Sequence, residues 1–544
     1  MAWLWRAFTA TPEQAGRWGK HPPNVPLAGP RGWLDNRRAY RWEILLHRPL
    51  TLAAHRAAAA AWPPLFSRLF TVALSTLLLA CGGGTDEART QSASTAPLHA
   101  QPLAADVAPA ATALVWVGPA SGAPAGAKVY SHLQGVPWGS LAAGTLVQVA
   151  PGTYAGPVTI TSVGTASAPI EIQAANPSAA PLVTSAFDFQ GAAHVRLKGF
   201  VVDGSPWGAV VLRRGSHHVT VQGNTLRRSY MGVDVSDGAG EALNIDANLI
   251  EDNRTHGISV GQLTSPTAIA SRIGGNTIRR NGHHGIELRS SRWVIEHNIV
   301  SEHGSGIGGA TGIHLYSASP SEDSGDDNII RYNFSYANRD RILHWDGNGI
   351  QADLWCDRNI IAYNVVWAND GAGIALLDSA SNEVYGNTVY DNGQDLGRAA
   401  SNTGEITLSK APSTVANRTS NNKVYNNVLS VRRSNVAALS VDTAAATGSN
   451  TLGPNLYAPH PYAHPVLRKG TQLAKTLTEV NTLSGVKGNV LEPVLWKNPA
   501  NPLGHGLALS QAPSKVGKRP SAPDMLGVAP TAGLSYFGAY YTPR

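Results

Sequence analysis

Five residues in the middle of the chain have the types and spacing of an acid–base site: Glu287, Arg289, His314, Tyr316 and Asp353. A histidine that titrates near neutrality is the easiest side chain to use as a general base. An arginine beside it can neutralise a carboxylate, and a tyrosine can donate or accept a proton. Together these suit binding an acidic sugar and moving the proton next to its carboxylate. The two carboxylates allow a second reading. Glu287 and Asp353 stand two repeats apart, about 9.6 Å on a stacked scaffold, at the upper edge of the spacing of an inverting glycosidase pair. Asp346 is the alternative partner in that reading. Around them Gln351, His344, Arg341 and Asp234 supply polar contacts, Arg339 a further charge, and Trp345 and Trp355 flat surfaces for a sugar ring.

These residues acquire addresses from a repeat. Asn224, Asn248, Asn276, Asn298, Asn333, Asn364, Asn387 and Asn427 each sit in a short apolar word such as GNTL, YNVV or NNVL. Between them a glycine precedes an apolar residue at Gly208, Gly232, Gly257, Gly285, Gly312, Gly349 and Gly373. Steps of 24 and 25 residues recur, and longer steps are that unit plus an insertion. Such a period specifies a stacked architecture, and short period-2 strands with one turn asparagine per repeat specify an all-β, right-handed parallel β-helix. Offsets one and three from each glycine face inward and offsets two and four outward. Offset two reads Val210, Asp234, Ser259, Glu287, His314, Gln351, Ala375. Offset four reads Leu212, Ser236, Gly261, Arg289, Tyr316, Asp353, Leu377. The ionisable groups fall in the middle of both columns.

Insertions gather in the same coils. From repeat asparagine to the next glycine the spacing is 8 or 9 residues in the regular coils but 14 at 298–312, 16 at 333–349 and 17 at 387–404. SASPSEDSGDD (317–327) leaves the other end of its strand. Long loops on a rigid scaffold are where binding and catalysis concentrate, so the groove is expected between these walls, across the coils from 285 to 373. Asp323, Asp326 and Asp327 could hold calcium or form a solvated acidic turn. His217-His218 and His283-His284 resemble metal pairs, but neighbours in a strand point to opposite faces, which argues against both. The metal content stays unknown, with calcium the cofactor admitted.

At this point the chain resembles the pectin-lyase-like, right-handed parallel β-helix proteins, which include secreted polysaccharide lyases, glycoside hydrolases and epimerases. The resemblance covers roughly 140–440 and rests on GTLVQVAPGTYAGPVTI, GTASAPIEIQA, and the repeated asparagine and Gly-Ile words. It implies a polysaccharide partner and, for a lyase, a Lys, Arg, His or Tyr base, often with calcium. Lys198 is the only lysine between 190 and 409 and lies far from the expected groove, which leaves Arg289, His314, Tyr316, Arg339, Arg341 and His344 as candidate bases. The readings that remain are a lyase acting at a uronic acid, an inverting hydrolase in the same groove, and a non-catalytic carbohydrate-binding or assembly scaffold.

The ends read differently. Leu69 to Ala80 is a twelve-residue apolar run after Arg68, too short to span a bilayer and of signal-peptide size. It ends in Leu-Leu-Ala-Cys81, which resembles a bacterial lipoprotein signal with Cys81 as the lipidated residue. Residues 1–80 are expected to be a misassigned upstream segment plus that signal, 81–111 a tether, and 112–200 the opening of the β-helix. Residues 201–440 would be its central coils and 441–544 its last coils or cap, with GLALS (506–510) and LSYFGAYY (534–541) as late or capping strands. The product would be a monomer anchored in the bacterial cell envelope. Residues 1–80 hold ten Lys/Arg and three Asp/Glu, which accounts for the whole formal charge of +7. The remainder is balanced and carries no basic stripe for nucleic acid. Cys356 is expected to be buried and inert.

Overall fold

The computed structural model describes residues 111–544, apart from 237, 263–270, 323, 398–402, 412–417, 434–435 and 459–465. Cys81, the signal and the tether therefore lie outside the described residues. Three long sheets of 14, 13 and 13 strands wind in parallel as a right-handed β-helix, each coil contributing one short strand to each sheet. The third sheet positions the candidate groove. Its central strands are β1 Met231–Val235, β2 Ile258–Val260, β3 Ile286–Leu288, β4 Ile313–Leu315, β5 Ile350–Ala352, β6 Ile374–Leu377 and β7 Gly404–Ser409. Inside, Ile258, Ile286, Ile313, Ile350, Ile374 and Ile406 stack in register and are fully buried.

The turn asparagines form a hydrogen-bonded ladder. The Asn224 backbone N–H and Nδ2 both donate to Asn248 Oδ1 at 3.0 Å, and Nδ2 also donates to the Leu197 carbonyl. The pattern repeats through Asn427 and continues to Asn455 and Asn489. Two more ladders run beside it. One passes through Asn328, Asn359, Asn382, Asn422 and Asn450. The other passes through Asn253, Asn281, His303, Asn338, Asn369 and Asn392 and ends on Glu405. His303 stands in for an amide: its Nδ1 accepts the Asn281 N–H while Nε2 donates to the Ile278 carbonyl. Only the neutral ring can do both, and burial pushes its pKa down to about 3. Asn298 is fully buried, and its side chain takes part in five such bonds. Asn298→Ala is expected to cost about 1–3 kcal/mol, because Asn276 loses its acceptor in a site closed to water; the urea midpoint measures it.

Glu405 occupies the repeat-glycine position of its coil and accepts from Asn392 Nδ2 at 2.6 Å. Burial, beyond what the Asn392 hydrogen bonds recover, raises its carboxyl from 4.5 to about 8. Between those values the folded state holds a proton that the unfolded state has lost, so this group contributes less stability as pH rises through the window. Glu405→Gln should therefore gain stability relative to wild type between pH 5 and pH 9. A gap that stays constant with pH would contradict the assignment.

The structure corrects several expectations. Val211, not Val210, pairs with Asp234, so Val210 and Leu212 are inward core residues and the first coil of both columns was read one residue out of register. GLALS and LSYFGAYY add no coil. They lie against the outer face of the second sheet, where Leu507, Ala508, Tyr536, Tyr540 and Tyr541 pack with Phe334, Tyr363, Val365 and Trp367. The aromatic outer residues of that sheet require such a cover. The last coil is closed instead by an antiparallel hairpin and the helix Leu477–Ser484, whose Val480 joins the main core. In the acidic turn Asp323 lies outside the described residues, while Asp326 and Asp327 both bond Arg358 and Asp326 also accepts the Asp357 N–H. Those two aspartates are engaged as ion-pair and turn acceptors, not poised around a cation. Cys356 is buried, and burial raises its thiol well above the usual range.

Candidate functional site

The outward column of the third sheet runs Asp234, Ser259, Glu287, His314, Gln351, Ala375 in direct register. Arg289, Tyr316 and Asp353 each follow directly on their strand, and their backbone N–H groups continue the same ladder. Outward residues of a β-helix are ordinarily solvated, yet Ser259, His314, Gln351 and Thr407 are buried. The face is thus walled rather than flat.

One wall is the loop between Tyr336 and Gly349. Asp340, itself buried, accepts the backbone N–H groups of Leu343, Trp345 and Asp346 and fixes its curl. Arg339 and Arg341 both pair with the buried Asp370 of the next coil, and His344 Nδ1 lies 2.5 Å from Asp395. Those three side chains therefore tie the wall to the two coils above it. The opposite wall is the 317–327 insertion. Its Glu322 carboxylate accepts from Arg289 at 2.7 Å, and its carbonyl accepts from Gln262. Arg289 also lies over the Tyr316 ring, 5.6 Å from the centroid. Trp345 is largely exposed at one end of β5, while Trp355 is half-buried at the other. Asp234 lies two coils from Glu287.

At the centre His314 Nε2 donates to Asp353 Oδ2 at 3.2 Å. That leaves Nδ1 as the lone-pair nitrogen, enclosed and without a hydrogen-bond partner. Burial pushes the imidazole down, but the hydrogen bond and charge of Asp353, with Glu287 and Asp346 behind it, outweigh burial and hold it above the usual histidine range. Tyr316 stands with its ring 5.8 Å from that of His314, and burial, then the Asp353 charge, raises its phenol. Gln351 Oε1 accepts from Thr311 and Asn348, and Asn348 also donates to Asp346.

The structure also brings in residues that the column reading missed: His256, His283 and His284. His256 Nε2 is 3.3 Å from Glu287, and the His284 ring stacks 4.4 Å from His314. His283 and His284 were expected on opposite faces, but they precede β3 in a turn and their rings are 3.9 Å apart. His256, His284, Thr311 and Asn348 each sit immediately before a repeat glycine, so reading that offset would have found them. Burial pushes His256 and His283 down to about 3 and His284 well below the usual range. Two triads, His256–His283–His284 and His284–Glu287–His314, bring ligand-type atoms within 4.8 Å of one another. Both depend on His284, whose Nδ1 accepts the Thr311 N–H at 3.0 Å. Its proton must then reside on Nε2, which blocks neutral His284 as a ligand. This cluster reads as a hydrogen-bonded network rather than a metal cage.

The family model described as the right-handed beta helix region matches residues 185–337 and 271–445. The matched span is the part of the chain whose three sheets wind as the right-handed β-helix described above. Among solved structures it is similar to the A-module of the Azotobacter vinelandii mannuronan C-5 epimerase AlgE4, at 15% identity over 60% of this chain and 90% of that one, with a TM-score of 0.44. It is similar to pectate lyase Pel9A at 15% identity, covering 76% of this chain and 96% of that one, with a TM-score of 0.38. A further likeness is to a GH136 lacto-N-biosidase from Eubacterium ramulus, at 13% identity over 64% and 68%, with a TM-score of 0.35. No curated protein matches the chain significantly in sequence. At this distance the likenesses do not carry an assignment of the reaction.

Proposed function

We propose that the protein is a polysaccharide-degrading enzyme that cleaves at a uronic acid by β-elimination, with His314 as the base. The observation that supports this is the His314–Asp353 pair: the carboxylate fixes the Nε2–H tautomer, and Nδ1 is left with a lone pair and no partner. In the reaction Nδ1 takes the proton from the carbon next to the sugar carboxylate. The electron pair forms the ring double bond, the glycosidic C–O bond breaks, and Tyr316, kept protonated by its raised pKa, gives its proton to the leaving oxygen. Arg289 neutralises the substrate carboxylate, exchanging its present partner Glu322 for the sugar. Because Nδ1 is enclosed, substrate reaches it only as the walls part, a movement typical of loop-gated sites.

One observation favours the hydrolase reading. Glu287, Asp346, Asp353 and Glu322 outnumber Arg289 near the site, so the groove does not present a cationic floor to a polyanion. An inverting pair of Glu287 and Asp353 would use that surplus. Product chemistry separates the two. A lyase leaves unsaturated ends and loses them in His314→Ala. A hydrolase gives reducing ends only, with Glu287→Gln and Asp353→Asn the inactive pair. If both sets of variants remain active on a confirmed substrate, the groove is misplaced. We further propose export with a lipid anchor at Cys81; membrane association unaffected by Cys81→Ser would contradict it.

A further inference from the structure

We propose that His194, His217 and His218, on the outer face of the first sheet, bind a divalent transition-metal ion of the zinc type. The site is separate from the groove, and the inference does not rest on its function. His194 and His218 occupy the same column in consecutive coils, since His217 pairs with Ala193 and Val219 with Val195. Both have left-handed backbone, φ 50° and 53°. That kink at His218 is why two consecutive histidines share one side, against the alternation expected of a regular strand.

The three imidazoles offer nitrogens within 4.8 Å of one another. His217 is turned across the other two rings, at 86° to His194 and 84° to His218, while His194 and His218 lie at 35° to each other. Nonparallel rings let in-plane lone pairs converge on one point. His217 Nδ1 and His218 Nδ1 are 2.8 Å apart, a contact held by a single shared proton. Ligands of tetrahedral zinc at about 2.0–2.1 Å stand roughly 3.3 Å apart, so half an ångström of opening and loss of that proton convert the pair into two ligands.

The neighbouring coil adds a second signal. Counting back along the strand pairing places Glu241 one coil above His217, and the His218 N–H donates to the Glu241 carbonyl. Glu241 Oε2 is enclosed and has no hydrogen-bond partner, which is costly for a carboxylate unless a cation compensates it. Gly240 keeps the corner open, because a Cβ there would come 3.0 Å from His217 Cβ. Three imidazoles select zinc, copper or nickel over calcium.

The test is calorimetric titration of the chelator-stripped full chain with zinc chloride. The expected result is one zinc per chain at this cluster, with affinity at least tenfold weaker in each of His194→Gln, His217→Gln and His218→Gln. Zinc should raise the thermal midpoint of wild type but not of these variants, and their metal-free midpoints, close to wild type, exclude misfolding as the cause. Cobalt(II) should give the intense visible bands of a tetrahedral site in wild type only. Zinc retained by all three variants and lost in His284→Gln would overturn the proposal, as would no binding by the wild-type chain at millimolar zinc.

Discussion

His314→Ala is expected to lower kcat on the polymer by about 10²–10⁴-fold while leaving substrate binding within a few-fold of wild type, because a base acts only in the proton-transfer step. The pH profile adds an independent check. The base must be unprotonated, and Asp353, with Glu287 and Asp346, overcomes burial to hold His314 above the usual histidine range. Activity should therefore rise with pH through a limb placed above that range. Asp353→Asn removes the charge that raises the limb, so the limb should move down while kcat falls through loss of the oriented tautomer. A profile identical in wild type and Asp353→Asn would show that His314 is not the titrating base. Arg289→Ala should act differently, weakening binding and turnover together, since its charge serves both ground and transition states.

Gly349→Ala is expected to destabilise the fold by about 3 kcal/mol or more. The repeat glycines are needed for space, not for an unusual φ. A Cβ at Gly349 would come 2.3 Å from Val366 Cγ1, 2.7 Å from the Gly373 carbonyl and 2.8 Å from Asn369 Nδ2. Gly257, Gly312 and Gly373 meet the next coil in the same way. The glycine is thus the notch into which the ladder from Asn253 to Asn392 fits, and filling it pushes a packed side chain and a ladder amide apart together. A midpoint within a few tenths of a kcal/mol of wild type in urea unfolding would contradict this account of the Gly-Ile word.

Much of the architecture was legible because a solenoid repeats its rules. The asparagine words located a ladder, the Gly-Ile words located strand starts, and offset counting placed Glu287 beside His314 and His314 beside Gln351, as the register has them. The same counting failed at Val210, where the strand begins earlier and its glycine is not the equivalent one. It also failed wherever the backbone leaves the strand: His283 and His284 precede β3, and His218 takes a left-handed φ. Strand alternation says nothing about side chains in such turns. Pairings between distant residues were out of reach for another reason. Arg289 with Glu322, His344 with Asp395 and Arg341 with Asp370 depend on how the insertions fold back, and no periodicity encodes that. The C-terminal cover was misread because its apolar words match either a late strand or a segment lying on the aromatic second sheet.

The most direct measurement is the ultraviolet absorbance of unsaturated sugar ends over time, with the purified full chain added to a panel of uronic-acid polymers. The account predicts an absorbance rise with at least one polymer, abolished by His314→Ala in a variant that still binds that polymer. Reducing ends without absorbance would transfer the reaction to Glu287 and Asp353. A wild-type chain that binds these polymers and releases no product of either kind would contradict an enzymatic groove.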